Sequence, residues 1–143
     1  MDGKGRPDPR LVRGVDLFNR GEFFDAHEVV EDLWNDTHGP GRDLLKGFIQ
    51  AAVACEHHRR GNGRGRRSVG ATAAGHLGKD PPEAGGLDVA GLLRGLETFL
   101  AAADRGEAPS YPRARLSAGE EAGAPGADDD PSGGIPGGET EMR

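Results

Sequence analysis

The chain contains two histidines, a glutamate and a glutamine at spacings that match the turns of a helix. Side chains of these types occur in metal sites and in buried polar networks. His27 and Glu31 are four residues apart, so on a helix they lie within about 40° of each other. Gln50 and His57 are seven residues apart and lie within about 20° of each other. If the two helices form an antiparallel hairpin, the two polar stripes can face each other. This juxtaposition predicts a divalent metal site with His27, Glu31 and His57 as ligands.

The chemistry of such a site would be that of zinc, iron or nickel, because imidazole and carboxylate ligands suit these metals. Glu28 or Gln50 would lie nearby, and a metal-bound water next to a carboxylate base would make the protein a hydrolase. The motif is incomplete, however. His27 to Glu31 lacks the second histidine of the His-Glu-x-x-His zinc motif, and the Glu-x-x-His pair of di-iron bundles is absent.

The same residues also suit a structural role, which we prefer to the metal site. His27 borders an apolar stripe that includes Val30 and Trp34, so it is expected to be partly buried. Buried polar groups need hydrogen-bond partners, whether or not they take part in catalysis. Glu28 points further round the helix and suits a solvated face. The structural alternative is a buried network formed by His27, Glu31, Gln50 and the indole N–H of Trp34.

A second candidate site is an arginine-rich turn, which holds five arginines and also contains Gly61, Gly63 and Gly65. Guanidinium groups beside a helix N-terminus could bind a phosphate or RNA. Alternatively, these arginines are solvated helix ends, with Gly61 ending one helix and Asn62 capping the next. A third alternative is that the turn attracts the acidic tail of the same chain or a partner. The arginines are Arg59, Arg60, Arg64, Arg66 and Arg67.

The remaining cysteine and histidines give weaker signals. Cys55 lies on an apolar helix face, where we expect it to pack as a small hydrophobic residue. A nucleophilic cysteine needs a base beside it, and the adjacent Glu56 and His57 project about 100–200° away. His38 and His76 have no partner at ligand spacing.

The charge of the chain is concentrated at one end. The 143 residues carry a formal net charge of −6, and residues 117–143 hold seven acids against one base. The remainder is neutral, so nucleic acid is not an expected partner. No apolar run is long enough to span a bilayer and no signal peptide is recognisable, so no membrane association is expected. One cysteine excludes an internal disulfide and fits a reducing cytoplasm.

Helix signals organise residues 8–116 as one all-α domain of antiparallel helical hairpins. The third helix is apolar almost all round and should lie centrally. The fourth is weak because Gly70 and Gly75 each cost about 1 kcal/mol relative to alanine. No segment alternates with a period of two, so no strand is expected. Residues 1–7 and the acidic tail, 117–143, are expected to be disordered. The predicted helices run from the cap Asp8 to Gly21, Phe23 to about Asp36, about Arg42 to Arg60, about Asn62 to Leu77, and the cap Asp88 to about Asp104.

An ordered string of residues runs through this domain. It comprises Phe18-Asn19-Arg20-Gly21-Glu22-Phe23-Phe24-Asp25-Ala26-His27-Glu28, Glu31, Trp34, Gly47-Phe48-Ile49-Gln50-Ala51-Ala52, His57, Gly61-Asn62 and Gly86-Leu87-Asp88. In these residues the chain resembles a bacterial and archaeal family catalogued as domain of unknown function 309. The resemblance implies a small all-helical domain with tetratricopeptide-like hairpins, and it implies no activity. The family's signature residues fall on His27, Glu28, Glu31, Trp34, Gln50, His57 and Asn62.

Three functions are compatible with these patterns. The preferred one is a non-enzymatic module that binds a partner protein or a second copy of itself. The second is a small metal-dependent hydrolase that uses His27, Glu31 and His57. The third is phosphate or RNA binding through Arg59–Arg67.

Overall fold

The computed structural model describes residues 7–81 and 83–116, and within them the protein is all-α, as predicted. Each predicted helix is present, with its ends within two residues of the expected ones. Successive helices pack against each other, and α3 packs against both α2 and α4. The helices are α1 (Pro9–Asn19), α2 (Phe23–Asp36), α3 (Arg42–Arg59), α4 (Gly63–Leu77) and α5 (Val89–Asp104).

The helix ends lie where the capping residues place them. The side chain of Asp8 accepts a hydrogen bond from the backbone N–H of Arg10, and Pro9 begins α1. Asn62 and Asp88 likewise accept N–H groups in the first turns of α4 and α5. These carboxylate and amide oxygens satisfy donors that have no partner within the helix. The sequence therefore predicts these three helix starts correctly.

Helix α3 lies at the centre of the core. Phe48, Ala51, Ala52 and Cys55 on this helix are each fully buried. Small side chains on α3 let its neighbours approach closely, and a β-carbon added at Gly47 would meet the side chain of Leu77 from α4. A helix that is apolar on most sides requires neighbours on most sides, which explains its central position.

One element was not expected. A short antiparallel hairpin follows α4, in which β1 (Glu83–Ala84) pairs with β2 (Leu87–Asp88). The expectation of no strand is therefore wrong at this point. Gly85 and Gly86 form its turn with φ angles of 59° and 86°. A two-residue hairpin turn favours positive φ at both positions, so the Gly-Gly pair was the available signal.

Residues 105–116, which we call the strap, run back across the bundle. The side chain of Asn19 donates to the carbonyl of Ala114 and accepts from its N–H, both at 2.8 Å. Leu116 pairs with Leu87, and the Asp88 N–H donates to the carbonyl of Arg115. The strap is thus fastened to the end of α1 and to β2.

The predicted disordered ends lie largely outside the described residues, which exclude 1–6 and 117–143. Pro7 is described, is half-buried and lies beside Gly86, so the packed part begins one residue before the predicted boundary at residue 8. Among the described residues, no helix is both long and apolar enough to cross a membrane.

Candidate functional site

The predicted histidines border one groove between the start of α2 and the end of α3. We call it the histidine groove, and its volume is about 320 Å³. Helices α2 and α3 pack against each other, and Arg59 at the end of α3 donates to the Gly21 carbonyl, just before α2, at 2.6 Å. The lining residues are Phe23, Phe24, His27, Val53, Glu56, His57 and Arg60. The structure therefore brings His27 and His57 to a shared cavity.

Asn62 fixes the hydrogen bonding of His57. The Gly65 N–H donates to Asn62 Oδ1 at 2.9 Å, which sets the orientation of the amide. The Nδ2 group of Asn62 then donates to His57 Nδ1 over 3.1 Å. Because Nδ1 accepts, the neutral ring carries its proton on Nε2. The helix cap of α4 thus selects one tautomer of His57.

His27 is held differently, because both of its ring nitrogens face acceptors. Nδ1 lies 3.3 Å from the carbonyl oxygen of Phe24, and Nε2 lies 3.2 Å from Glu31 Oε1. Both contacts are donated at once when the ring is doubly protonated. His27 is about one-quarter exposed and Glu31 about half exposed, with side-chain values of 23% and 47%. The pair lies at the groove rim, so the prediction that it forms a buried network is wrong.

The other two members of the predicted network are placed elsewhere. Gln50 Oε1 is buried and has no hydrogen-bond partner among the described residues. The Trp34 ring packs against two cations, with the Arg42 guanidinium carbon 3.7 Å and Lys46 Nζ 4.5 Å from its centroid. Such cation–π contacts use the face of the ring rather than its N–H. Of the predicted network, the structure therefore shows the contact between His27 and Glu31 and not the part through Gln50.

The three predicted metal ligands are not gathered into one group in the histidine groove. His27 and His57 line the groove, whereas Glu31 does not line it and instead lies 3.2 Å from His27 Nε2. Within residues 7–81 and 83–116, no three histidine, cysteine, aspartate or glutamate side chains form a group that could hold a metal ion. Glu28 is exposed, as expected for a solvated face. The metal-dependent hydrolase is therefore not supported by this geometry and stays a prediction.

Several arginines of the arginine-rich turn have partners within the chain, and the predicted anion site stays a prediction. The guanidinium of Arg59 donates to the carbonyl oxygen of Gly21, and Arg60 Nε lies 2.8 Å from Glu56 Oε2. Arg66 is buried, and its guanidinium lies 3.1 Å from Asp104 of α5. Arg64 and Arg67 are exposed on α4. Three of the five guanidinium groups are thus used at three separate places within the chain.

An aromatic cluster behind the groove was not predicted. His58 packs edge-on against Phe99, with ring centroids 5.2 Å apart, and Arg66 donates to its Nδ1 at 3.3 Å. The ring centroid of Tyr111, in the strap, lies 5.0 Å from that of Phe23 and 5.4 Å from that of Phe99. Burial raises the pKa of the Tyr111 hydroxyl. His58, in the last turn of α3, is therefore packed within this aromatic cluster.

His76, which has no partner at ligand spacing in the sequence, has one across the fold. Its Nδ1 lies 3.0 Å from Asp43 at the start of α3, and Lys79 lies 3.6 Å from the same carboxylate. Asp80 Oδ2 is buried without a hydrogen bond among the described residues. Burial, with the nearby charge of Asp43, raises the pKa of Asp80. These contacts join the end of α4 to the start of α3. Asp43 and His76 are 33 residues apart in the sequence, so helix spacing does not predict their contact.

Cys55 behaves as predicted. It is fully buried in the core, and burial raises the pKa of its thiol well above the ordinary range. The thiolate is the nucleophilic form, so this environment keeps the cysteine unreactive.

A larger cavity, of about 590 Å³, lies near the start of α1, the end of α2 and the start of α3. Arg10 crosses its rim with hydrogen bonds of 3.1 Å to Asp32 and 2.9 Å to Asp36. A hydrogen bond from Arg10 also holds the pKa of Asp8 below its usual range. The rim charges are paired with each other, and none of the signature residues lines this cavity.

Comparison with known proteins agrees with the sequence resemblance. A curated relative, "Uncharacterized protein YpuF" of Bacillus subtilis (strain 168), is 36% identical over 56 residues, which are 38% of this chain. The match spans about a third of the length of that relative, 32%. The family model described as "Domain of unknown function (DUF309)" matches residues 11–69, a stretch that contains most of α1, all of α2 and α3, and the histidines of the groove. The predicted resemblance is thus confirmed over residues 11–69, the stretch that matches this family model.

Proposed function

We propose that the protein is a non-enzymatic self-association module in which two copies meet through the histidine groove. The observation that carries this proposal is Phe24, which is 51% exposed at the edge of the groove. Together with the apolar side chains of the groove beside it, this ring forms an exposed apolar patch, which is typical of an interaction surface.

The surface is self-complementary, because a projecting ring and a cavity lie side by side on it. Under two-fold symmetry, Phe24 of one copy enters the groove of the other, and the reverse contact forms at the same time. The groove volume of about 320 Å³ has room for one aromatic side chain. Phe23 and Val53 supply its apolar wall, and an aromatic contact of this kind commonly dominates an interface.

The polar rim supports the same arrangement. Glu56 is paired with Arg60 at 2.8 Å, and His27 with Glu31 at 3.2 Å. Both pairs lie within one copy, so little unpaired charge opposes close approach. A small contact of this kind predicts a weak dimer rather than an obligate one.

Two further expectations belong to this proposal. The packing of each helix against the next supports the tetratricopeptide-like character expected from the resemblance. The single cysteine, a buried free thiol, supports a reducing cytoplasm as the compartment.

Sedimentation velocity over a series of protein concentrations tests the proposal. We expect the weight-average mass to rise with concentration, and Phe24→Asp to abolish the rise. Val12→Asp is the matched control, because Val12 is also exposed, at 40%, but lies on α1 away from the groove lining. A chain that remains monomeric at every concentration, or a control that abolishes association equally, would overturn the proposal.

A further inference from the structure

Three arginines surround a cleft formed by α5 and the strap. Arg94 comes from α5, whereas Arg113 and Arg115 come from the strap, and all three are exposed. The cleft has a volume of about 530 Å³. A neighbouring cavity of about 440 Å³ shares Arg94 and Arg113 with it. The two cavities therefore form one continuous basic surface, which we call the arginine cleft.

The positive charge of the arginine cleft is not balanced by the residues around it. Within the described part of the chain, Asp88 is the one acid that lines it. Asp88 Oδ1 already accepts the Gly91 N–H at 3.0 Å as the cap of α5. Arg113 has a long hydrogen bond of 3.5 Å to the carbonyl oxygen of Asn19, which carries no net charge. Three guanidinium groups thus surround one carboxylate that is engaged as a helix cap.

We propose that the arginine cleft binds the acidic segment 117–143 of the same chain. This inference concerns a second surface and does not depend on the histidine groove. Leu116 lines the cleft and is held there by pairing with Leu87, so the acidic segment starts at the cleft itself. Glu120 and Glu121 follow within about 13–18 Å of extended chain.

Charge complementarity selects this occupant. Residues 117–143 hold seven acids and one base, while the rest of the chain is neutral. Arginine binds carboxylates through paired hydrogen bonds, and a tethered ligand has a high local concentration. In the arginine-rich turn, by contrast, Arg59, Arg60 and Arg66 are already bonded within the domain. The acidic segment therefore has a binding surface at the strap rather than at the turn.

Paramagnetic relaxation in the full chain tests this proposal. The substitution Ser132→Cys introduces a thiol that a spin label modifies selectively, because the native Cys55 is fully buried. We expect the amide signals of Gly91, Arg94 and Arg113 to broaden more than those of α3. The broadening should fall at least roughly threefold when salt is raised from 0.1 M to 1 M, because the screening length drops from about 10 Å to about 3 Å.

Two sets of substitutions locate the contact. Arg94→Gln with Arg113→Gln and Arg115→Gln should remove the broadening around the cleft. Arg64→Gln with Arg67→Gln is the matched control, because these arginines are also exposed but lie on α4. Broadening that survives the cleft substitutions, that is lost in the control, or that is spread evenly over the domain overturns the proposal. Broadening in a mixture of unlabelled ¹⁵N protein and spin-labelled ¹⁴N protein would assign the segment to another copy and would also overturn it.

Discussion

Asn62 acts on two elements at once, because one amide group serves the cap of α4 and the ring of His57. The Gly65 N–H occupies its oxygen, and the amide nitrogen is thereby directed to His57 Nδ1. The capping role was predicted from the sequence. The contact with His57 was not, because it depends on the sharp turn at Gly61, where φ is 76°. The geometry of the turn at Gly61 therefore determines that the Asn62 amide forms a hydrogen bond with His57.

Asn62→Asp should change the tautomer of His57 without unfolding α4. One carboxylate oxygen can still accept the Gly65 N–H, but the other cannot donate to Nδ1, so the neutral ring should carry its proton on Nδ1. The ¹⁵N shifts of the imidazole, recorded for the wild type and the variant, measure this change. Asn62→Ala is the comparison, since it loses the cap and should destabilise the protein by about 1 kcal/mol. A wild-type ring already protonated on Nδ1 would contradict the arrangement.

The glycines of α4 show how an element with weak intrinsic propensity is kept by its neighbours. A β-carbon at Gly70 would lie 2.7 Å from Leu100 Cδ2 of α5, whereas one at Gly75 would meet nothing within 4 Å. Gly70 therefore permits close packing of α4 on α5. Gly75 contributes no such contact and retains its cost in helix propensity. The prediction of a weak fourth helix was sound as a local statement, but tertiary packing outweighs it.

Gly75→Ala should raise the free energy of unfolding by about 0.5–1 kcal/mol, because it gains helix propensity without a clash. Gly70→Ala has the same local gain but forces Leu100 to move, so we expect no net stabilisation. Urea denaturation of the two variants and the wild type measures the difference. Equal stabilisation by both substitutions would show that α4 and α5 are not in close contact at Gly70.

Across the whole molecule, the strap closes the bundle by joining residues from opposite ends of the domain. Asn19 and Ala114 are 95 residues apart, and their two hydrogen bonds hold the strap against the end of α1. Tyr111 then packs on Phe23 beside the histidine groove, and Arg113 and Arg115 form the wall of the arginine cleft. Both proposed surfaces therefore depend on the position of the strap.

Asn19→Ala should release the strap at a cost of about 1–3 kcal/mol, because it removes two hydrogen bonds to partly buried backbone groups. Hydrogen exchange checks this directly. The amides of Ala114 and Asp88 should exchange faster, since Asp88 donates to Arg115 in the strap, while the α3 amides keep their relative protection. Unchanged exchange at Ala114 would mean that the strap is held by its apolar contacts alone.

The sequence by itself determined the five helices, their ends and the central position of α3. These features depend on caps, glycines and apolar periodicity, which act over a few neighbouring residues, and the hairpin turn at Gly85 and Gly86 was predictable for the same reason. Tertiary structure alone decided that His27 and His57 share a groove, that Gln50 stays outside the network, that Arg66 pairs with Asp104 and that the strap closes the bundle. Such contacts join side chains tens of residues apart, 38 for Arg66 and Asp104. They follow from how helix faces rotate and pack against each other, which local spacing does not encode.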